Sequence, residues 1–189
     1  TALGPTGRFG ALKQFGLVVL CVAWVRLGTI GHDPWKTQDA TTLGAVLEMM
    51  ARGDALVPYL AGEPVVDNPP LVYLAATGTS MAFSPPLPLH DAVRVAAALF
   101  VALTLLLLAA TATELYGRAY LWLPVLLFVG SVGLWERAQQ LSPETGLMLG
   151  MAAALYGFAL ALRRPVAGGT ALGLGAGVGF LSAGFIALL

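Results

Sequence analysis

The sequence predicts an all-α, polytopic membrane protein with about five transmembrane helices and amphipathic surface helices in the first outer loop. Three observations carry that expectation. Hydrophobic residues make up 58% of the chain, charged residues only 11%, and mean hydropathy is +0.81, far from the averages of a soluble globular domain. Apolar runs near the length needed to cross a hydrocarbon core of about 30 Å recur along the chain. A single long polar interval separates the first run from the rest.

The predicted spans are 14–31, 92–113, 119–135, 146–162 and 166–189. Arg26 and Arg94 stand near the ends of the first two, where a long cationic side chain can snorkel to an interface. The first run has basic residues before it but no small-residue cleavage site after Gly31, and so is expected to be a retained anchor. The chain begins with Thr and stops within an apolar run at Leu189, which predicts the N-terminal portion of a longer protein. Cys21 is the only cysteine, so an internal disulfide and a cysteine-based metal cluster are excluded, and it is expected to be a packing residue.

Ten basic and ten acidic residues cancel, and no basic run with interleaved aromatics points to nucleic acid. Lipid is the expected partner. Arg8, Lys13, Arg118, Arg163 and Arg164 fall on one side of the predicted spans in short segments, which places that side and the N-terminus in the cytoplasm. The interval 32–90 and the short loop 136–145 then lie on the extracytoplasmic face.

Within the outer interval, Leu43, Val46, Leu47 and Met50 recur at helical spacing between Asp39 and Arg52, predicting an amphipathic surface helix. Gly53 is placed to end it, so Arg52-Gly53-Asp54 is expected to be a helix terminus and not an adhesion motif. In Asp67-Asn68-Pro69-Pro70, proline suits a first helical turn and Asn68 can cap it, predicting a second short helix from Leu71 to Phe83. In the last span Gly169, Gly173 and Gly177 recur every four residues, with Gly175 and Gly179 on a neighbouring stripe. This spacing lets helices approach closely in lipid, whereas no preceding strand or following Lys makes it a phosphate loop.

Two acids are the candidate chemical groups. Asp39 follows the first span and Glu144 sits in the second outer loop, so both are expected at one membrane face, flanking one reacting centre. The alternative for Asp39 is an N-cap, and for Glu144 a favourable charge at a helix N-terminus. His32 and His90 form no ligand pattern and are expected to be interfacial.

The order of these features resembles the N-terminal half of the GT-C glycosyltransferases, in the branch of the aminoarabinose transferases and protein mannosyltransferases. The matching residues are Asp39, Met50-Ala51-Arg52-Gly53-Asp54, Val57-Pro58-Tyr59-Leu60, Asp67-Asn68-Pro69-Pro70-Leu71, Gln140-Leu141-Ser142-Pro143-Glu144 and Gly179-Phe180-Leu181-Ser182-Ala183-Gly184. The resemblance spans most of 1–189 and rests on order and spacing. It implies transfer of a sugar, with inversion, from a polyprenyl-phosphate donor to a lipid or protein acceptor at the outer face of a membrane, as in a bacterial inner membrane. Asp39 would then be the base or the group orienting the acceptor.

Chemistry of this kind needs the leaving phosphate stabilised by cations or a metal. The family usually has a second acid where Ala40 stands, a Lys where Asn68 stands, and a Lys near Ser182-Ala183. Asn68 is the candidate donor-phosphate ligand, with Lys36, Arg52 and Arg137 as substitute cations and a divalent metal on Asp67 or Glu144 as a further substitute. The alternative is a non-catalytic GT-C-like membrane subunit or scaffold, with other membrane proteins as partners. A transporter ranks third, because no acid sits mid-span.

Overall fold

A computed structural model describes residues 8–27, 29, 31, 37–53, 57–138 and 140–188. Eight α-helices account for most of them: α1 (Arg8–Leu27), α2 (Thr37–Arg52), α3 (Leu71–Phe83), α4 (Leu89–Tyr116), α5 (Trp122–Gly130), α6 (Val132–Ala138), α7 (Pro143–Ala161) and α8 (Pro165–Ala183). A 3-10 turn over Gly184–Leu188 extends α8. Among the described residues the one interruption by strands is a two-stranded hairpin, β1 (Tyr59–Leu60) and β2 (Glu63–Pro64), in which Tyr59 pairs with Pro64 and Leu60 with Glu63. Its turn residues Ala61 and Gly62 both have positive φ, 54° and 88°, the handedness that a two-residue hairpin turn requires.

Three of the described helices are long and apolar enough to cross a membrane: α4, α7, and α8 with its 3-10 extension. Three of the five expected spans are thus met among the described residues. Among the described residues, α1 contributes an apolar stretch from Gln14 to Arg26, shorter than the roughly 20 residues a span needs. The span expected at 119–135 is broken into α5 and α6. At the break the Ser131 hydroxyl donates to Leu127 O (2.7 Å) and its N–H to Phe128 O (3.2 Å). Gly130, Ser131 and Gly133 are poor helix formers, and a serine can satisfy backbone acceptors locally instead of continuing the ladder. The surviving boundaries, 89–116, 143–161 and 165–183, lie within a few residues of those expected, apart from the end of α8.

The helix α4 is the hub, packing against α1, α3, α5, α6 and α7. One core cluster joins Val46 and Met49 of α2, Val72 and Ala76 of α3, and Val93 and Ala96 of α4, with Leu141. A second joins Trp24 of α1, Val101 and Leu105 of α4, Val125 of α5 and Ala138 of α6. The outward faces stay apolar, with Leu106, Leu127, Met151, Phe158 and Leu174 all exposed. An apolar exterior on this scale marks a surface made for lipid and not for water.

The helices α7 and α8 are antiparallel and meet through glycine. A Cβ added to Gly150 would lie 2.6 Å from Gly179 Cα, and one added to Gly157 would lie 2.8 Å from Leu172 Cα. The backbones therefore touch where the sequence removes side chains. Gly169, Gly173 and Gly177 are not part of this seam, because a Cβ at any of them would meet nothing within 4 Å. The neighbouring stripe, Gly168, Gly175 and Gly179, makes the contact instead.

Candidate functional site

A polar layer at one end of the helices is built from α2, the hairpin, the turn before α3 and the loop before α7. The helix α2 starts at Thr37, two residues before Asp39, and stops where Gly53 takes φ 69° and donates its N–H to Met49 O (3.0 Å). That end is the one expected from the sequence. Asp54 lies outside the described residues. The buried face of α2 carries Thr42, Ala45, Val46 and Met49, while Leu47 is exposed. The helix face is thus rotated from the one read off the apolar spacing.

Asp39 sits in the first turn of α2, not at its cap, and is 5% exposed. Its Oδ2 accepts from Arg94 Nη2 at 2.9 Å, and its Oδ1 accepts from Leu141 N–H at 3.0 Å. The pair ties α2 to α4 and both to the loop before α7. Arg94 is 3% exposed, so it does not snorkel to an interface. A guanidinium at such depth stays charged and needs a carboxylate beside it. Asp91, one turn before Arg94, is also buried. Its Oδ1 accepts from Gly31 N–H (3.3 Å) and lies 3.6 Å from His90 Nε2.

Glu144 occupies the first turn of α7 and pairs with Arg137 Nη1 at 2.8 Å. Between Leu141 and Glu144, the Ser142 hydroxyl is buried with no hydrogen-bond partner among the described residues. Arg52 is likewise paired, with Glu48 Oε1 at 2.8 Å, and its guanidinium lies over the Tyr59 ring, 4.2 Å from the centroid. The same Glu48 oxygen accepts from Gly62 N–H (3.0 Å), anchoring the hairpin on α2. Lys36 and His32 lie outside the described residues.

The diproline turn works differently from expectation. Pro70 is the residue that precedes α3, with no side-chain cap, and Asn68 instead lines one groove with Tyr73. Burial pushes the Tyr73 phenol above its ordinary range; the Asn68 side chain opposes the shift, and the Asp67 carboxylate adds to it. Gln38, Thr41, Thr42, Asp67, Asn68 and Tyr73 all face a groove of about 480 Å³. Thr42 is 2% exposed. Glu63 and Asp67 are the carboxylates of this wall. Among the described residues no three His, Cys, Asp or Glu side chains come together as metal ligands, so Asp67 has no ligand set around it.

The far end of α8 closes on the same turn. A Cβ on Gly184 would lie 3.8 Å from Pro69 Cγ, and one on Gly146 would lie 2.8 Å from Ser182 Cβ and 3.1 Å from Val72 Cγ2. Segments distant in sequence, around residues 39, 69, 141 and 184, therefore meet in one layer. The structure joins Asp39 to the loop of Glu144 and places Asp67 with Asn68, but Asp39 and Glu144 do not line the groove. Arg94, Asp91, Thr42 and Tyr73 were missed as site residues. The available signal was the Asp91 and Arg94 pair, two opposite charges three residues apart at the start of an apolar run, where helical spacing puts both on one face.

Together these features define a helical protein with membrane-length apolar helices capped by a polar layer. Comparison of the chain with family models, with curated proteins and with solved structures found no match.

Proposed function

We propose that the chain is part of a membrane glycosyltransferase that moves a sugar from a polyprenyl-phosphate donor to a lipid or protein acceptor on the outer membrane face. The observation that carries the proposal is the 3.0 Å hydrogen bond from Leu141 N–H to Asp39. It draws together two acid-bearing loops that lie about a hundred residues apart. In this role Asp39 is a positioning residue, since both of its oxygens are engaged. Glu144, half exposed and bonded to Arg137 through one oxygen, is the proton acceptor.

In the reaction an acceptor hydroxyl attacks the anomeric carbon and its proton passes to Glu144. The bond from that carbon to the phosphate oxygen breaks, and polyprenyl phosphate leaves with the electron pair. Arg137, beside Glu144, offsets the developing charge on the phosphate.

One observation favours a second role, a non-catalytic membrane subunit: Asp39, Arg52 and Arg137 are each already paired. A transfer assay with the intact protein in lipid nanodiscs and a polyprenyl-phosphate sugar separates the two. Glu144→Gln is expected to slow transfer by at least about 100-fold, the scale of a lost general base, with folding intact. Wild-type transfer unchanged by Glu144→Gln sinks the assignment of Glu144, and no transfer by wild type favours the subunit.

A further inference from the structure

Between α1, α4 and α5 lies an apolar cavity of about 490 Å³, with Val18, Cys21, Val25, Ala102 and Trp122 in its wall. Its wall follows α4 from Val95 to Ala109, a length of about 21 Å at the rise of an α-helix. That is over half of a hydrocarbon core of about 30 Å. At the Val95 end the last turn of α1 brings Arg26 to the mouth, where it is exposed. The neighbouring Thr29 hydroxyl is satisfied by Val25 O at 2.7 Å. Among the described residues no carboxylate lines the cavity, and Arg26 has no ion-pair partner.

We propose that this cavity holds one acyl chain of an anionic glycerophospholipid, whose phosphate rests on Arg26. An elongated apolar cleft accepts an acyl chain without leaving a polar group unsatisfied. A guanidinium presents donors in a fork that matches phosphate oxygens. A zwitterionic headgroup would bring an amine as well, and the lining offers it no carboxylate; a headgroup with net negative charge leaves the Arg26 charge balanced. This site is separate from the polar layer and does not rest on the proposed transferase activity.

The test uses the intact protein in nanodiscs of equimolar phosphatidylglycerol and phosphatidylethanolamine, with retained lipid counted by native mass spectrometry. Wild type is expected to retain the anionic lipid about fivefold over the zwitterionic one, the scale of one interfacial cation. That preference should vanish in Arg26→Gln, persist in Arg26→Lys, and fall as salt is raised on the wild type. Ala102→Phe, which fills the cavity, should abolish retention of either lipid at this site. Equal retention of the two lipids by wild type, a preference insensitive to both Arg26→Gln and salt, or exclusive retention of an added polyprenyl phosphate would overturn the proposal. The salt series needs no substitution, so a variant that fails to fold leaves the test standing.

Discussion

Two arginine–carboxylate pairs in the polar layer have almost the same length and opposite surroundings. Arg94 and Asp39 meet at 2.9 Å with 3% and 5% of their side chains exposed; Arg137 and Glu144 meet at 2.8 Å with 63% and 47% exposed. Distance alone would rank them equal. Burial separates them, because water competes for the second pair and is excluded from the first. The first pair is therefore a structural brace, and the second is free to exchange partners.

The largest effect is expected at the brace. Asp39→Ala removes a carboxylate from beside buried Arg94 and leaves Leu141 N–H without its acceptor. Losing one partner of a buried pair is destabilising, by up to about 3–5 kcal/mol, which chemical unfolding in detergent can measure. Asp39→Asn keeps an oxygen for Leu141 and should cost less. If Asp39→Ala unfolds at the wild-type midpoint, the brace is not holding α2 to α4.

The two glycine stripes of α8 repeat the contrast in apolar surroundings. Gly150→Ala pushes a methyl into the backbone of Gly179, where a Cβ would sit 2.6 Å from Cα. Overpacking of this kind costs about 1–3 kcal/mol. Gly173→Ala meets nothing within 4 Å, and alanine is the better helix former by up to about 1 kcal/mol. Unfolding midpoints should therefore move in opposite directions for the two substitutions. A loss of stability in Gly173→Ala would show that this stripe also packs.

Much of the architecture was legible because apolar length and turn chemistry are local. The sequence located α4, α7 and α8 within a few residues at most of their ends, α3 from Leu71 to Phe83, and the stop of α2 at Gly53. What was not legible depended on partners brought from elsewhere in the chain. Arg94 looked like an interfacial cation because its carboxylate lies 55 residues away in α2. Gly173 and Gly175 have the same residue type on one helix, and only the position of α7 decides which is contacted. The break at Ser131 was hidden inside a run whose composition still favours lipid. Asn68 looked like a cap, yet Pro70 precedes α3 and Asn68 faces the groove with Tyr73.

The smallest stability effect is expected at the exposed pair, and there the proposed function is most sharply tested. Glu144→Gln removes an ion pair worth less than about 1 kcal/mol in the open. It also removes a negative charge from the first turn of α7, a term of about 0.3–1 kcal/mol. The unfolding midpoint should barely move, in contrast with Asp39→Ala. Transfer activity, if Glu144 accepts the acceptor proton, should nevertheless collapse. A variant with wild-type stability and no transfer separates chemistry from scaffolding, which the braced pair cannot do because loss of Asp39 disturbs both. Should Glu144→Gln instead destabilise the protein as much as Asp39→Ala does, the contrast between the two pairs fails, and Glu144 belongs with the brace.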